Sequence, residues 1–569
     1  MKTDANALKN GALDDGALQA LLKNGLKGAR EAMDALIGAL ARFSSPPAPG
    51  AEAGHGAADP DAFQSEGFQL AHLHARLYAL EALMDHAGSG AGEKLGAVFF
   101  GAECMETLRG ALPRLAGRLG VERSVLRPVM EDGETGDLIL LVHGESFQGA
   151  LMEALEGMQG PGGVGAIGMG GLSAEHTMLR ETFHAFATRK VKPAAEALHR
   201  EDRLIPDDLI AEAAELGCFG LSIPAAHGGV AERPDNLGMV VVTEELSRGA
   251  LIVGSLITRP EILAKALLSG GTPEQQQRFL PPMASGEKMV AIAVTEPDFG
   301  SDVANLKTAA TPVEGGWRID GTKVWCTFAG RAELIGLLAR TEPGAGLGHR
   351  GLSMFVVEKP PFHGHRFEHT PSGGGRLSGR AIDTLGYRGM HSFELHFEDY
   401  FLPGDNLVGG DAGRGRGFYL QMEGFAHGRL QTSGRALGLM QAAFDEAWSY
   451  GSARKVFGKT LNDFPLTRSK LIRMAASILA GRRATYAAAR LLDAGKGRME
   501  ASLVKLFTCR NAEWITREAM QVHGGMGYAE EFPVSRYFAD ARVLSIFEGA
   551  EEVLALKVIL PALLKARAR

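Results

Sequence analysis

The chain reads as an α+β protein, with a β-rich block held between two helical blocks and a further, mainly helical section ahead of them. Three observations lead there. Apolar residues recur at helical spacing from about 173 to 289 and again from about 417 onward. Between about 290 and 408 the pattern changes to β-branched and aromatic runs, as in GGWRIDGTKVWCTF, LSMFVVEK and SFELHFEDYFLP. Two Gly/Pro-rich breakers, Ser44 to Pro60 and Gly157 to Gly171, set off what precedes residue 173.

Residues 16–43 carry Leu18, Leu21, Leu22, Leu26, Met33, Leu36, Ile37 and Leu40 near helical spacing and predict a helix. After the first breaker, helices are expected at about 64–88 and 92–118, and DLILLV, Asp137 to Val142, suggests a short strand. The second breaker marks a domain boundary. An extra, mainly helical N-terminal domain with linkers, 1–172, is therefore expected before a helical domain at 173–289 and a β domain at 290–408. A C-terminal helical domain at 409–569 completes the chain. Within the β domain, Asp320-Gly321 reads as a turn between two strand-like runs. The C-terminal helices are expected at about 430–453, 466–493, 498–522 and 550–566. The helices around Phe99 and Cys104 resemble those around Phe507 and Cys509 in length, spacing and aromatic placement.

Composition narrows the function classes. The 569 residues carry a net charge of −7, which argues against a nucleic-acid partner. No run of about 18 or more apolar residues suggests a membrane span, and the N-terminus lacks a basic-then-apolar leader pattern. Cys104, Cys218, Cys326 and Cys509 are far apart and form no CxxC pair, so neither a disulfide framework nor a metal site is expected. A cytoplasmic location follows as the default.

Several motifs carry chemistry. Gly163 to Gly168 spells GxGxxG, but the preceding ESFQGALMEALEGM reads as helix, so the match is assigned to a linker. In AVTEPDFGSD, Ala293 to Asp302, proline and glycine force an irregular turn in which Thr295, Ser301 and free backbone amides are available to polar ligand atoms. Trp325 and Thr327 set an indole beside a hydroxyl, which suits a planar heterocycle. Arg454, in ARKVFGK, offers a guanidinium after a helix, suited to a pyrophosphate. Near the end, QVHGGMGY places Gly524, Gly525 and Gly527 where backbone can approach a ligand closely. Glu548 then stands alone between Phe547 and Gly549; a carboxylate beside apolar neighbours loses solvation and becomes a usable base near neutral pH.

VTEPDFGSD, VWCT, ARKVFGK, QVHGGMGY and IFEGAEEV occur in one order. From Ser173 onward the chain thereby resembles the acyl-CoA dehydrogenase family. The resemblance implies a helical domain, a middle β domain and a C-terminal four-helix bundle, with FAD between the last two. It implies that Val294, Thr295, Ser301, Trp325 and Thr327 contact the flavin half of FAD. Arg454, Phe457, Gln521, Gly524 and Gly525 would meet the adenine-diphosphate half bound mainly to a neighbouring subunit. Ser301, Arg429 and Gly549 match substrate-contacting positions, and Glu548 matches the catalytic base. Some members place the base on another helix, at the position of Gly428 here, which cannot serve. Ala550 stands where a threonine is usual, and Phe547 where a tyrosine is frequent.

The implied reaction is α,β-dehydrogenation of an acyl-CoA. Glu548 takes the α-proton and the β-hydride passes to flavin N5, with an electron-transfer flavoprotein as the expected acceptor. The extra N-terminal domain and an insertion, His363 to Arg380, resemble members acting on a short branched dicarboxylyl-CoA, (2S)-methylsuccinyl-CoA to mesaconyl-CoA in the ethylmalonyl-CoA route. Other short or branched acyl-CoA substrates, an oxidase passing electrons to O2, and a non-catalytic scaffold remain the alternatives. A dicarboxylyl substrate needs a cation for its distal carboxylate. Arg248 and Arg259, in SRGALIVGSLITRPEIL, are the two candidates. A homodimer is expected, because a helical domain laid on the C-terminal bundle would cover the face through which family dimers pair into tetramers.

Overall fold

The computed structural model describes residues 15–44, 60–85, 90–158, 167–230, 232–233, 235–342 and 347–567. Helices fill both ends of the chain and one sheet lies between them. Residues 45–59 of the expected linker at 44–60 and most of the second breaker, including most of the GxGxxG match, lie outside the described residues.

The N-terminal section holds helices Asp15–Ser44, Gln64–Asp85, Ala91–Leu119, Gly133–Val142 and Glu145–Gly157. The expected strand at Asp137 to Val142 is instead the last part of a helix. Asp132 caps it by accepting from Glu134 N at 3.1 Å. Thr135, Leu138 and Val142 are buried together while Leu140, which a strand would place on the same face as Leu138 and Val142, is 75% exposed. A six-residue apolar run cannot by itself distinguish the two.

This section packs onto two helices of the C-terminal bundle, Pro465–Asp493 and Arg498–His523. Phe100 meets Phe507 edge-to-face with centroids 5.7 Å apart. Arg483 pairs with Glu93 at 2.8 Å, and Arg473 Nε donates to Glu103 at 2.8 Å. Gly96 lets the helices approach closely: a Cβ there would stand 2.9 Å from Leu479 Cδ2, and the leucine would have to shift. A single apolar core runs through the N-terminal section, the helices after Ser173 and the bundle. Each fully buried Phe or Leu in it contributes roughly 1.5–3 kcal/mol.

The helical part after Ser173 begins with Ser173 accepting from His176 N at 3.1 Å, and a Thr272–Gln275 capping box opens Pro273–Ala284. The sheet follows, with strands β1 (Val290–Ala293), β2 (Ala309–Val313), β3 (Gly316–Thr327), β4 (Leu334–Arg340), β5 (Leu352–Glu358), β6 (Arg366–His369), β7 (Arg376–Ile382) and β8 (Ser392–Pro403). The order is β1-β4-β2-β3-β8-β7-β6, with β5 paired to β4. Its apolar face has its own core around Ile319, Phe355, Leu395 and Phe397.

Asp320-Gly321 is not the expected turn. The β2–β3 hairpin turns at Glu314-Gly315, with Gly315 at φ +76° and Val313 opposite Gly316. Asp320-Gly321 falls inside β3 at a register shift against β8, where a Cβ on Gly321 would lie 2.7 Å from Thr308 Oγ1. The insertion at 363–380 supplies β6 and most of β7, a hairpin on the sheet's edge.

The C-terminal bundle contains Gly417–Ala453, Pro465–Asp493, Arg498–His523 and a final segment from Glu551 to Arg567. A further helix, Val534–Leu544, was not expected from the sequence; it buries Val534, Tyr537, Ala541 and Leu544 and leads directly to Glu548.

Candidate active site

On the sheet side, a buried ion pair shapes the first motif. Lys323 Nζ donates to Glu296 at 2.9 Å and to Val294 O at 2.9 Å. Glu296 also accepts from the backbone amides of Lys307 and Thr308 at 2.7 and 2.8 Å. Burial alone would raise this carboxylate's pKa, but Lys323 and the amides hold it below the usual range, so the turn is built on an ionised group. Val324 N donates to Thr295 O at 2.8 Å, fixing Thr295 beside β3. Trp325 follows at φ +60° with 57% of its surface exposed, and Thr327, buried, shares a 2.9 Å hydrogen bond with Ser392 Oγ. A non-glycine residue in the left-handed region and an exposed indole are both unusual and mark this strand end as a candidate binding surface. Ser301 is exposed on the turn.

On the bundle side, Glu548 is itself left-handed, at φ +53°, and Gly549 follows at φ +95°. Lys505, buried under this turn, donates from Nζ to Gly549 O at 2.7 Å. The Glu548 carboxylate comes against the Gly417–Ala453 helix at Gly428, where a Cβ would stand 3.1 Å from Oε2. Arg429 lies beside it. Its Nε has no hydrogen-bond partner, and burial lowers its pKa to about 10 while Glu548 works in the opposite direction. Phe547 is fixed from two sides: Tyr387 meets it edge-to-face at 5.5 Å, and the Arg435 guanidinium stands 4.6 Å above its ring.

The two candidate arginines separate. Arg248 is taken up by Asp445, to which it donates at 2.6 and 3.1 Å, and the structure does not bring it to Glu548. Arg259 is buried and donates to Tyr387 Oη at 3.0 Å and to Ser255 Oγ at 3.3 Å. Arg435, which sequence reasoning missed, converges on the same hydroxyls, with Ser255 Oγ at 2.5 Å and Tyr387 Oη at 3.3 Å. Arg435 is fully buried and its Nε is unpartnered. Neither guanidinium has an ion-pair partner among the described residues. Burial and Arg259 both lower the pKa of Arg435, and Glu548 raises it. Lys505 was also missed; its signal, a lysine inside the apolar helical run ASLVKLF, was present in the sequence.

The distal residues form a second surface. Tyr450 stacks on His523 with centroids 4.3 Å apart, and its carbonyl accepts from Arg454 N at 2.8 Å, so the helix that ends at Arg454 packs against the end of Arg498–His523. Phe457 is 97% exposed at φ +47°. Gly524, at φ +60°, and Gly525 have no atom within 4 Å of a built Cβ.

A helical domain, a sheet and a helical bundle in this order, matched by the family's three domains, define an acyl-CoA dehydrogenase-type oxidoreductase. The family's N-terminal, middle and C-terminal domains match residues 173–287, 291–400 and 415–563. The chain belongs to the acyl-CoA dehydrogenase family, whose members are FAD-dependent flavoproteins. It is 42% identical over 384 residues to (2S)-methylsuccinyl-CoA dehydrogenase of Cereibacter sphaeroides, covering 67% of this chain and 68% of that one. It is 34% identical to the mitochondrial short-chain specific acyl-CoA dehydrogenase of Bos taurus, covering 67% and 88%. Among solved structures, butyryl-CoA dehydrogenase from Megasphaera elsdenii aligns with TM-score 0.63 and 29% identity, covering 69% of this chain and 99% of that one. A glutaryl-CoA dehydrogenase–glutaryl-CoA complex aligns with TM-score 0.63 and 27% identity, covering 70% and 96%. No helix among the described residues is long and apolar enough to cross a membrane.

Proposed function

We propose that this chain binds FAD and dehydrogenates a short branched dicarboxylyl-CoA thioester, (2S)-methylsuccinyl-CoA, to mesaconyl-CoA, passing electrons to an electron-transfer flavoprotein. The observation that carries the chemistry is the seat of Glu548. Its carboxylate is set against Gly428, with the Ile262 side chain on the same spot, on a strained turn held by Lys505. Strain of this kind is kept where surrounding contacts over-determine it. Glu548 takes the α-proton, and Arg429 keeps positive charge beside the site as negative charge develops on the thioester. Bound FAD supplies the acceptor for the β-hydride.

The exposed Trp325, the Thr327 hydroxyl beside it and the open Gly524-Gly525 backbone fit such a group. Arg454, Phe457, Gln521, Gly524 and Gly525 face outward, as residues serving a neighbouring subunit's cofactor would. Val294, Thr295 and Ser301 line the turn on the flavin side, while Ser301, Arg429 and Gly549 are assigned to the substrate.

The dicarboxylyl substrate rests on Arg259 and Arg435. Two buried guanidiniums without a carboxylate are costly unless an anion joins them. Their shared hydroxyls, Ser255 and Tyr387, leave them next to Phe547, one residue from the base. The 42% identity to a methylsuccinyl-CoA dehydrogenase supports the same class. The N-terminal helices lie on the bundle, and on this reading they limit assembly to a homodimer.

The test is a spectral screen: anaerobic bleaching of the flavin with a panel of short mono- and dicarboxylyl-CoA thioesters. Bleaching by methylsuccinyl-CoA at rates well above butyryl-CoA is expected. Equal rates would remove the dicarboxylyl assignment, and fast reoxidation in air without an added acceptor would make the enzyme an oxidase.

A further inference from the structure

Away from Glu548, three side chains from separate segments aim ligand atoms at one point. Asp202 lies in the loop between helices Lys192–Arg200 and Asp207–Glu215, His365 stands just before β6 in the inserted hairpin, and His391 immediately precedes β8. His365 Nε2 and His391 Nε2 are 3.1 Å apart; Asp202 Oδ1 is 3.1 Å from His391 Nε2, and Asp202 Oδ2 is 3.8 Å from His365 Nε2. Donor atoms of a tetrahedral site with bonds near 2.1 Å stand about 3.4 Å apart; here one ligand atom from each of the three residues lies within 4.8 Å of the others, and two of the contacts are already at 3.1 Å.

Hydrogen bonding alone accounts for the cluster poorly. Nε2 of His391 carries either one proton or one lone pair, yet it faces an imidazole nitrogen and a carboxylate oxygen at the same 3.1 Å. Its other nitrogen, Nδ1, is buried with no partner, so the polar interactions of this buried ring all run through Nε2. Two of the three residues are held left-handed, Asp202 at φ +51° and His391 at φ +46°.

We propose that Asp202, His365 and His391 form a divalent-metal site, with zinc as the cation favoured by two imidazoles and one carboxylate, and with a coordination position open to solvent on the side of the exposed His365. This departs from the expectation that the chain holds no metal site. The ligands come from segments far apart in sequence, so no spacing motif announces them. A bound ion would tie the inserted hairpin and the Asp202 loop to the start of β8. His391 O there accepts from Phe328 N at 2.8 Å, and the next residue, Ser392, holds the Thr327 hydroxyl.

The experiment uses the full-length FAD-loaded protein, stripped with EDTA, freed of chelator and titrated with zinc chloride by calorimetry. One equivalent per chain and a raised Tm are expected. His365→Ala, at an exposed side chain, and Asp202→Asn should each weaken zinc binding at least about tenfold and abolish the Tm rise. Helical circular dichroism establishes that the variants are folded. No uptake by the wild type, or uptake and Tm rise unchanged in either folded variant, overturns the site.

Discussion

The Glu548 carboxylate and the Gly428 backbone share one small space: a Cβ at residue 428 would stand 3.1 Å from Oε2. Glycine at this point of the Gly417–Ala453 helix is unfavourable for the helix itself, by roughly 0.5–1 kcal/mol against alanine. Its presence leaves room for the carboxylate proposed as the base. Gly428→Ala is therefore expected to stabilise the helix slightly while displacing the carboxylate. Steady-state kinetics should show kcat falling about 10- to 100-fold with FAD content unchanged. Full activity in the alanine variant would mean the carboxylate does not work from this position.

The distal-carboxylate assignment makes a selectivity prediction. Arg259→Met should lower kcat/KM for methylsuccinyl-CoA on the order of 10²-fold and leave butyryl-CoA nearly unchanged, because only the former brings an anion to be paired. Arg248→Met, which removes the partner of Asp445, should affect both substrates alike. Equal losses on both substrates in Arg259→Met would exclude a carboxylate-specific role.

Glu261 makes stability pH-dependent. Burial raises its pKa from 4.5 to about 7, with Lys265 the main opposing influence and Gln431 donating to it. The folded state thus holds a proton that the unfolded chain releases above 4.5. The associated stability is fully present below pH 4.5 and is lost as pH rises to about 7. Glu261→Gln imitates the protonated form. Its gain in unfolding free energy over the wild type should be small at pH 4.5 and should grow to at most about 3 kcal/mol at pH 8. A gain that does not change with pH would show that Glu261 titrates normally.

Assembly is the fourth prediction. Helix Ala91–Leu119, through Phe100, Glu103 and Glu93, and helix Gln64–Asp85, through Phe68 beneath Arg510, cover Pro465–Asp493 and Arg498–His523. Light scattering should give a mass of about twice the 60.4 kDa chain. A variant lacking residues 1–172 exposes that apolar face and should associate further. A tetramer formed by the intact chain would contradict the covering role.

Much of this fold was legible because helical periodicity persists over long segments such as 465–493 and 498–523, where each turn repeats the same signal. Short elements were not. DLILLV carries no period long enough to separate strand from helix, and Asp320-Gly321 has turn chemistry that the fold uses for a bulge. Glu548 and the glycine turn were readable as a linear pattern. Arg435, Tyr387 and Ser255 were not, since their relation exists only where three segments meet. The Asp202–His365–His391 cluster escaped for the same reason.

If Glu548 takes the α-proton, Glu548→Gln removes that step. The variant keeps the size of the side chain and the Lys505–Gly549 anchor. Mixed anaerobically with methylsuccinyl-CoA in a stopped-flow instrument, it should bind FAD and ligand yet bleach the flavin at least about 10²–10⁴-fold more slowly than the wild type. Bleaching at the wild-type rate would contradict the account and place the base elsewhere.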